Sequence, residues 1–423
     1  MSFDYWLFFV SCFLYFVIYF MTKHSKTFDT LLKYGIVREA ENIYLEPEKN
    51  RLTIRYVNSS GLDEELVLPK VNQEEIPDAL KILAQSETEE EKIFKIINDG
   101  HKVLFSFSFL PSEFGEKISI RVANDKITPL GLEDLGINLH HLSALKRNLD
   151  NQSGIILATG PTNSGRTTTL YSILDFINHP SLNISTIEDQ IEYYFPEINQ
   201  YHVAAQAGHD YYSTLDNFLR KDADVVLIGE INDNAVAQSA FDVASANKLF
   251  LSSLDADDVF IALFNLYEME IPPSLIAAQI KMIMSQRLVR KICPACQESY
   301  SLDYQEIGEI GKLIGLPDIL EILEKNKALV VRKRGVDPLL FYRGRGCAEC
   351  DGRGYKDRAA IYEVMEVTPG IKNLISRKAS LAEMKDQARK EGMVTLAEDG
   401  IIKALAGVTT VEEIMNQLGI VNG

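Results

Sequence analysis

Eight consecutive residues, Gly160-Pro161-Thr162-Asn163-Ser164-Gly165-Arg166-Thr167, form a glycine-bounded loop with a cation and a hydroxyl at its exit. Glycine at both ends permits backbone angles that aim successive N–H groups into one concavity, an arrangement that cradles anions. A helix starting at Arg166 would add the partial positive charge of its N-terminus at the same point. Thr167 would offer its hydroxyl to Mg²⁺, and Thr168 follows in the same turn. The pattern is that of a phosphate-binding loop at every fixed position but one, because the expected lysine is Arg166. Lysine is a compact charge on a thin stem; arginine carries a wide planar fork, so its phosphate contact is expected to be displaced. The bland alternative is a glycine-rich turn that holds nothing. The apolar strand before the loop and the helical segment after it weigh against that reading.

Two further elements carry carboxylates. Val225-Val226-Leu227-Ile228-Gly229-Glu230 is an apolar strand ending in Gly-Glu, and Thr186-Ile187-Glu188-Asp189 ends a second strand in a carboxylate pair. A carboxylate at the C-terminal edge of a parallel sheet, beside a phosphate loop, can orient or deprotonate an attacking water. Either element alone is weak, since strands often end in Asp or Glu at a turn. In this order after the loop they form a coherent set.

The cysteines supply a different chemistry. Cys293-Pro294-Ala295-Cys296 and Cys347-Ala348-Glu349-Cys350 are two Cys-x-x-Cys knuckles, and Cys12 is the fifth cysteine. Four thiolates from two knuckles suit tetrahedral Zn²⁺ with no position left for substrate, so the expected role is structural. A redox pair would be single and lie in a thioredoxin-like pattern, which is not seen.

The elements that must position these residues can be read from periodicity. Gly154–Thr159 is a continuous apolar strand, and buried strands are expected at 183–187, 225–228 and 249–253 with helical segments between them. Strands alternating with helices argue for a parallel sheet covered on both faces. Before it, Phe28–Tyr34 reads as a helix ended by Gly35, and 42–46 and 51–57 as strands. Val103–Leu110 alternates Phe and Ser, which suits a half-buried strand paired with 118–122 across a turn at 111–115. The acidic run Glu87–Glu91 reads as a solvated helix face. The stretch 370–418 reads as helical, with stops at Gly392, Gly400 and Gly407. The basic cluster Arg332-Lys333-Arg334 with Arg343, Arg345, Arg353 and Arg358 is either a solvated face or a contact for an acidic partner or anionic lipid.

The net charge is −17, which opposes binding to a phosphate backbone, so no nucleic-acid partner is expected. Tyr5–Met21 holds no charged side chain. Lys23, His24, Lys26 and Lys33 follow it and Asp4 precedes it, which favours a membrane anchor with the rest of the chain on the cytoplasmic side. A buried core helix is the alternative, and the basic n-region and cleavage site of a signal peptide are not present.

Taken together, these residues resemble the ATPases of type II secretion and type IV pilus assembly. The resemblance rests on Asn42–Pro47, Gly115-Glu116-Lys117, Gly154–Thr162, Thr186–Asp189 with Ile191-Glu192, and Leu219-Arg220-Lys221-Asp222-Ala223-Asp224 leading into Gly229-Glu230-Ile231. It continues through Gln286-Arg287-Leu288-Val289-Arg290, the cysteine pairs, and Gly354–Arg358 to Tyr362-Glu363. It implies an α/β fold: a RecA-like P-loop core (149–290) with a membrane anchor (1–26), a small α/β domain and linker (27–148), a tetracysteine zinc module (291–365) and a C-terminal helical region (366–423). It also implies ATP, Mg²⁺ and Zn²⁺, a homo- or hetero-hexamer, and an inner-membrane platform partner at the cytoplasmic face of the inner membrane.

By position, Gly160 to Thr168 would hold the nucleotide, Thr167 and Asp189 the Mg²⁺, Glu230 and Glu188 would be catalytic, and Arg121 would reach a neighbour's phosphates. The departures from the family pattern are Arg166 for lysine, Asn232 for arginine, Lys248 and Asp255 for the two histidines, and Ser106 for an arginine. Their loss from the phosphate site implies weak or lost turnover. The retained glycines, Thr167, Glu188, Asp189 and Glu230 leave an active motor as the other reading.

Overall fold

An apolar strand that never alternates with polar residues must be covered on both faces. Gly154–Thr159 is buried throughout, as are the strands at 184–188 and 249–254. In the computed structural model these strands belong to one central sheet. The structure describes residues 30–38, 40–58, 61–69, 93–98, 101–124, 129–189, 191–195, 197–202, 223–301, 311, 331–332, 335–336 and 340–419. The apolar run 5–21, Cys12, the acidic run 87–91, residues 219–222 and the basic pair 333–334 lie outside them. Among the described residues no helix is long and apolar enough to cross a membrane.

Two compact units are present, residues 1–128 with 192–194, and residues 129–191 with 195–423. The first is built on six strands: β1 (Asn42–Pro47), β2 (Arg51–Asn58), β3 (Gly61–Pro69), β4 (Ile93–Asn98), β5 (His101–Ser112) and β6 (Gly115–Asn124). They form an antiparallel sheet in the order β3-β2-β1-β6-β5-β4. Period-two alternation puts Ile43, Leu45, Leu52, Ile54, Tyr56, Phe105, Phe107, Ile118 and Ile120 on one buried face with Leu31 and Leu32. The latter two come from a helix over residues 30–37. That helix runs through Gly35 and does not stop there. Glycine is needed because a Cβ would lie 2.6 Å from Ile43 Cδ1, so helix and sheet approach closely here.

In the second unit the strands are β7 (Gly154–Thr159), β8 (Ile184–Glu188), β9 (Asn199–His202), β10 (Val225–Glu230), β11 (Leu249–Leu254) and β12 (Ile280–Ile292). Next come the short strands β13 (Gln297–Ser301), β14 (Val331–Arg332), β15 (Gly335–Val336) and β16 (Leu340–Gly344), and last β17 (Tyr355–Glu366). The main sheet has the order β17-β12-β7-β11-β10-β8-β9, parallel except for the β12–β17 pair. α1 (Leu139–Asp150) precedes the first of its parallel strands, and further helices connect them: α2 (Arg166–Ile177), α3 (Asn234–Ser245), α4 (Val259–Glu268) and α5 (Pro273–Gln279). Asp233 and Asp258 start α3 and α4 by accepting backbone N–H groups of the first turn. The cysteine segment leaves the sheet at the end of β12 and returns at the start of β17, with β13 and β16 pairing as a ribbon.

Four helices complete the unit: α6 (Pro369–Ser376), α7 (Leu381–Lys390), α8 (Leu396–Leu405) and α9 (Val411–Gln417). Ser380 with Glu383 and Thr395 with Glu398 form reciprocal capping boxes that fix two of their starts. Gly392 and Gly407 stop α7 and α8 with positive φ, and the following residues, Met393 and Val408, donate back to Ala388 and Lys403. Gly400 is different from the expectation, since it lies inside α8. A Cβ there would sit 2.9 Å from Ile414 Cγ2, so its role is the close crossing of α8 and α9.

The buried carboxylate of Asp399 ties α8 to β17. It accepts from the Tyr362 backbone N–H at 2.8 Å and from Lys403 Nζ at 2.6 Å, while Lys403 also donates to the Ala360 carbonyl. Removing one partner of such a pair leaves an uncompensated charge. Asp399→Ala is therefore expected to lower stability by about 3–5 kcal/mol, read as the urea midpoint of this unit. A loss under about 1 kcal/mol would show that solvent already screens the pair.

Candidate functional site

β7 is central in the sheet, and its last residue delivers the chain into the Gly160–Gly165 loop and then into α2. Gly160 has φ 143° and Gly165 φ 89°; Asn163, at the crown, also takes positive φ. Neither glycine has room to spare. A Cβ on Gly160 would lie 2.5 Å from the Gln286 carbonyl oxygen and 2.5 Å from Ser164 Oγ, and one on Gly165 would lie 3.1 Å from Gln286 Nε2. Thr162 and Asn163 are exposed at the crown, Pro161, Thr167 and Thr168 are half-buried, and Ser164 is buried.

Ser164 Oγ and Thr159 Oγ1 are buried side-chain oxygens without a hydrogen-bond partner. Buried hydroxyls are normally satisfied. Two orphans at the two ends of a loop shaped for an anion fit a nucleotide's phosphate group there.

Parallel pairing brings the carboxylates of β8 and β10 to the same sheet edge as the loop. Glu188 is buried; it accepts from Thr186 Oγ1 at 2.6 Å and from the Tyr171 hydroxyl, both within its own unit. Asp189, one residue on, is exposed. Glu230 is partly exposed and bound to the residue that breaks the loop pattern: Arg166 Nη1 donates to Glu230 Oε1 at 2.8 Å. The Arg166 side chain is only 13 % exposed, and Glu230 is its ion-pair partner among the described residues. Thus the cation of the loop and the carboxylate of β10 engage each other.

The other departures distribute unevenly. Asn232 is exposed just before the α3 cap. Asp255 is exposed after β11, at the phosphate edge. Two residues on, Asp257 is held by Arg287, whose Nη2 donates to its carboxylate at 2.9 Å and its carbonyl at 3.0 Å. Lys248 does not belong at this site. It precedes β11, and its carbonyl accepts from Gly154 N–H, which puts it at the opposite edge of the sheet, about 20 Å of strand away. The expectation that its change weakens the phosphate site is corrected accordingly. In the first unit, Arg121 faces Ser106 across the β5–β6 ladder and forms an ion pair with Glu192.

Three residues outside the sequence-based site belong to its neighbourhood. Gln286 and Arg287 lie in a run that carries the family resemblance, but their type alone assigned them no role at the loop. Glu363 closes another such run, again with no role assigned to it. It is buried on β17 and accepts from the Val259 N–H at 3.2 Å. Burial pushes its carboxyl up to about 7, against the Val259 hydrogen bond and with help from Asp258.

The four cysteines converge. Their sulfurs all lie within 4.8 Å of one another, with Cys293–Cys347 and Cys296–Cys350 at 3.9 Å and Cys347–Cys350 at 3.7 Å. Burial pushes Cys296 up to about 12. Burial opposes the Cys350 thiolate too, but the N–H groups of Cys347 and Gly354 bring it down to about 6. This set of thiols can hold a metal ion.

A central parallel strand feeding a glycine loop onto a helix N-terminus, with carboxylates along the same edge, defines a P-loop nucleotide-binding protein with a RecA-like core. The comparisons agree and narrow the class. Residues 23–416 match the family described as Type II/IV secretion system protein. The type IV pilus assembly ATPase PilB of Myxococcus xanthus is 33 % identical over 397 residues, covering 92 % of this chain and 67 % of that protein. Type II secretion system protein E of Pseudomonas aeruginosa is 33 % identical over 393 residues, covering 92 % and 74 %. Among solved structures, the Legionella pneumophila ATPase DotB shares the fold with a TM-score of 0.61 at 14 % identity, over 93 % of this chain and 96 % of that one. The chain belongs to the type II/IV secretion system protein family.

The raised pKa of Glu363 has a signed consequence. Its folded value of about 7 lies above the ordinary 4.5, so the folded state holds the proton more tightly and loses stability as pH rises from about 4.5 through 7. Glu363→Gln keeps an acceptor for Val259 and cannot ionise. Its stability is expected to match the native chain near pH 4.5 and to exceed it by about 3 kcal/mol at pH 8, measured by urea unfolding at both values. An unchanged difference across that range would mean that Glu363 titrates normally.

Proposed function

We propose that this chain is a subunit of a secretion or pilus-assembly ATPase that binds ATP at a modified P-loop, with turnover weak or lost. The observation that carries the reading is the Arg166–Glu230 pair. The loop from Gly160 to Thr168 would cradle the phosphates, and Thr167 and Asp189 would hold Mg²⁺. Bound ATP·Mg²⁺ would supply the phosphoryl group for transfer to water. Glu230 is the residue that would orient that water and take its proton, yet its carboxylate accepts from Arg166. A guanidinium drawn to that carboxylate through Nη1 would present a turned fork to a phosphate. Family membership supports a ring of such subunits acting with an inner-membrane platform at the cytoplasmic face, and the apolar run 5–21 supports direct attachment to that membrane. The partly exposed Glu230 and both loop glycines favour a second reading, a fully active hexameric motor.

ATP hydrolysis by the full chain, purified in detergent, distinguishes these readings. The native chain is expected to bind nucleotide with little turnover. Arg166→Lys is expected to free Glu230 and tighten nucleotide binding about tenfold without restoring a motor's rate, because Asn232 and Asp255 remain. Native turnover that Glu230→Gln abolishes would establish the motor reading instead.

Zinc at the four cysteines is part of the proposal, in a structural role. Metal analysis of the native chain is expected to find about one zinc ion per chain. Cys293→Ser is expected to lose it and to lower the melting temperature. A native chain that is folded and free of metal would refute this.

A further inference from the structure

Gln286 is buried beneath the phosphate loop, and its carboxamide can adopt only one orientation. Its Nε2 donates to the Ser164 carbonyl at 2.9 Å, because a carbonyl oxygen can face only a donor. Its Oε1 is therefore turned the other way, where Thr169 Oγ1 donates to it at 2.9 Å. With that proton used, the contact at 3.2 Å between Thr169 Oγ1 and the Tyr362 hydroxyl must have tyrosine as donor. Tyr362 is fully buried, and burial pushes its phenol well above the usual range, so the proton it donates stays in place. The backbone N–H of Tyr362 is in turn fixed on Asp399. Three hydrogen bonds thus run head to tail from β17 through α2 to β12 and end on one carbonyl of the loop. Chains aligned in this way strengthen each member.

The carbonyl they hold is the informative one. A peptide unit is planar and trans, so its C=O and N–H point in opposite directions. Tying the Ser164 carbonyl down onto Gln286 turns the Gly165 N–H up, away from Gln286 and toward the concavity of the loop. We infer that Gln286 is the positioning residue of the phosphate loop: it touches no phosphate itself but aims the Gly165 amide at the anion, through a relay anchored by Thr169 and Tyr362. The close approach of Gln286 also explains why both loop glycines lack room for a side chain, since its main chain meets Gly160 and its amide meets Gly165. The inference rests on the reading that this loop holds phosphate, and its test separates the two.

The full chain is compared with Gln286→Leu, Thr169→Val and Thr169→Ser by two measurements. The first is amide hydrogen exchange of the 158–169 peptide without nucleotide. The second is binding of the fluorescent analogue mant-ATP with Mg²⁺. Gln286→Leu and Thr169→Val are expected to speed exchange in that peptide about tenfold and to weaken mant-ATP binding by a similar factor, with β10 and β11 unchanged. Thr169→Ser, which keeps the hydroxyl, is expected to behave as the native chain. Loop exchange unchanged in Gln286→Leu, or raised equally across the whole sheet, would overturn the role. If Gln286→Leu does not fold, the Thr169 pair carries the same comparison. A native chain that ignores mant-ATP yet shows the selective loosening would remove the nucleotide reading and uphold Gln286 as the residue that sets the loop.

Discussion

The structure of the larger unit depends on one constraint: β7 must be buried on both faces and still end in a polar, anion-shaped turn. Burial on both faces requires neighbours on each side, which β12 and β11 supply, and helices above and below. Parallel alignment with β11, and through it with β10 and β8, then fixes which strand ends share an edge. Glu188 and Glu230 reach the loop because their strands run the same way as β7, although 28 and 70 residues separate them from Gly160 in sequence. The same rule sends Lys248 to the far edge. Direction in the sheet, not distance along the chain, decides which substitutions can matter to phosphate.

The Arg166–Glu230 pair sits at that edge with one partner nearly buried and the other about one-third exposed. A pair of this kind is worth on the order of 1 kcal/mol, far less than its short distance suggests, because water still reaches the carboxylate. A polyphosphate offering several charges to the loop amides, the helix N-terminus and Arg166 outweighs that. The pair therefore opposes binding only weakly and bears mainly on geometry. The cation is turned toward β10, and a planar fork directed at a phosphate would have to fit where a single ammonium usually sits. Charge is conserved in the swap, and shape is not. That asymmetry is why a site can keep its ligand and lose its rate.

Much of this is legible in the sequence, for a physical reason in each case. Continuous apolar runs such as Gly154–Thr159 announce two-sided burial, and the alternation of Phe and Ser after Val103 announces one-sided burial. Cys-x-x-Cys pairs announce each other, and their sulfurs do converge. Glycines are less legible, because one residue type serves two purposes. Gly392 and Gly407 supply positive φ, whereas Gly35 and Gly400 supply only the absence of a Cβ at a close crossing. Local sequence cannot distinguish a stop from a crossing when the partner, Ile43 or Ile414, comes from another element. Pairings across the sheet are hidden for the same reason. Nothing near Arg166 names Glu230, nothing near Gln286 names Ser164, and the elevated pKa of Glu363 arises from burial that only the assembled sheet creates.

The position of the cysteine segment gives the last step. It leaves β12 six residues after Gln286 and returns to β17 seven residues before Tyr362, the two strands that carry the ends of the loop relay. Its ribbon packs Phe341 against Ile401, Ala404 and Ile414 of α8 and α9. Those helices hold the strands in turn: Glu413 binds Arg290, Val408 accepts from Ile292, and Asp399 holds the Tyr362 backbone. A metal drawing the four thiols together would therefore fix the spacing of β12 and β17 at the far end of the same two strands. A structural metal is economical here, because Gln286 and Tyr362 must keep their register for the relay to close. A slip by one residue would turn Gln286 to the opposite face of β12 and release the Ser164 carbonyl. The cysteines need not approach the phosphate site to matter to it.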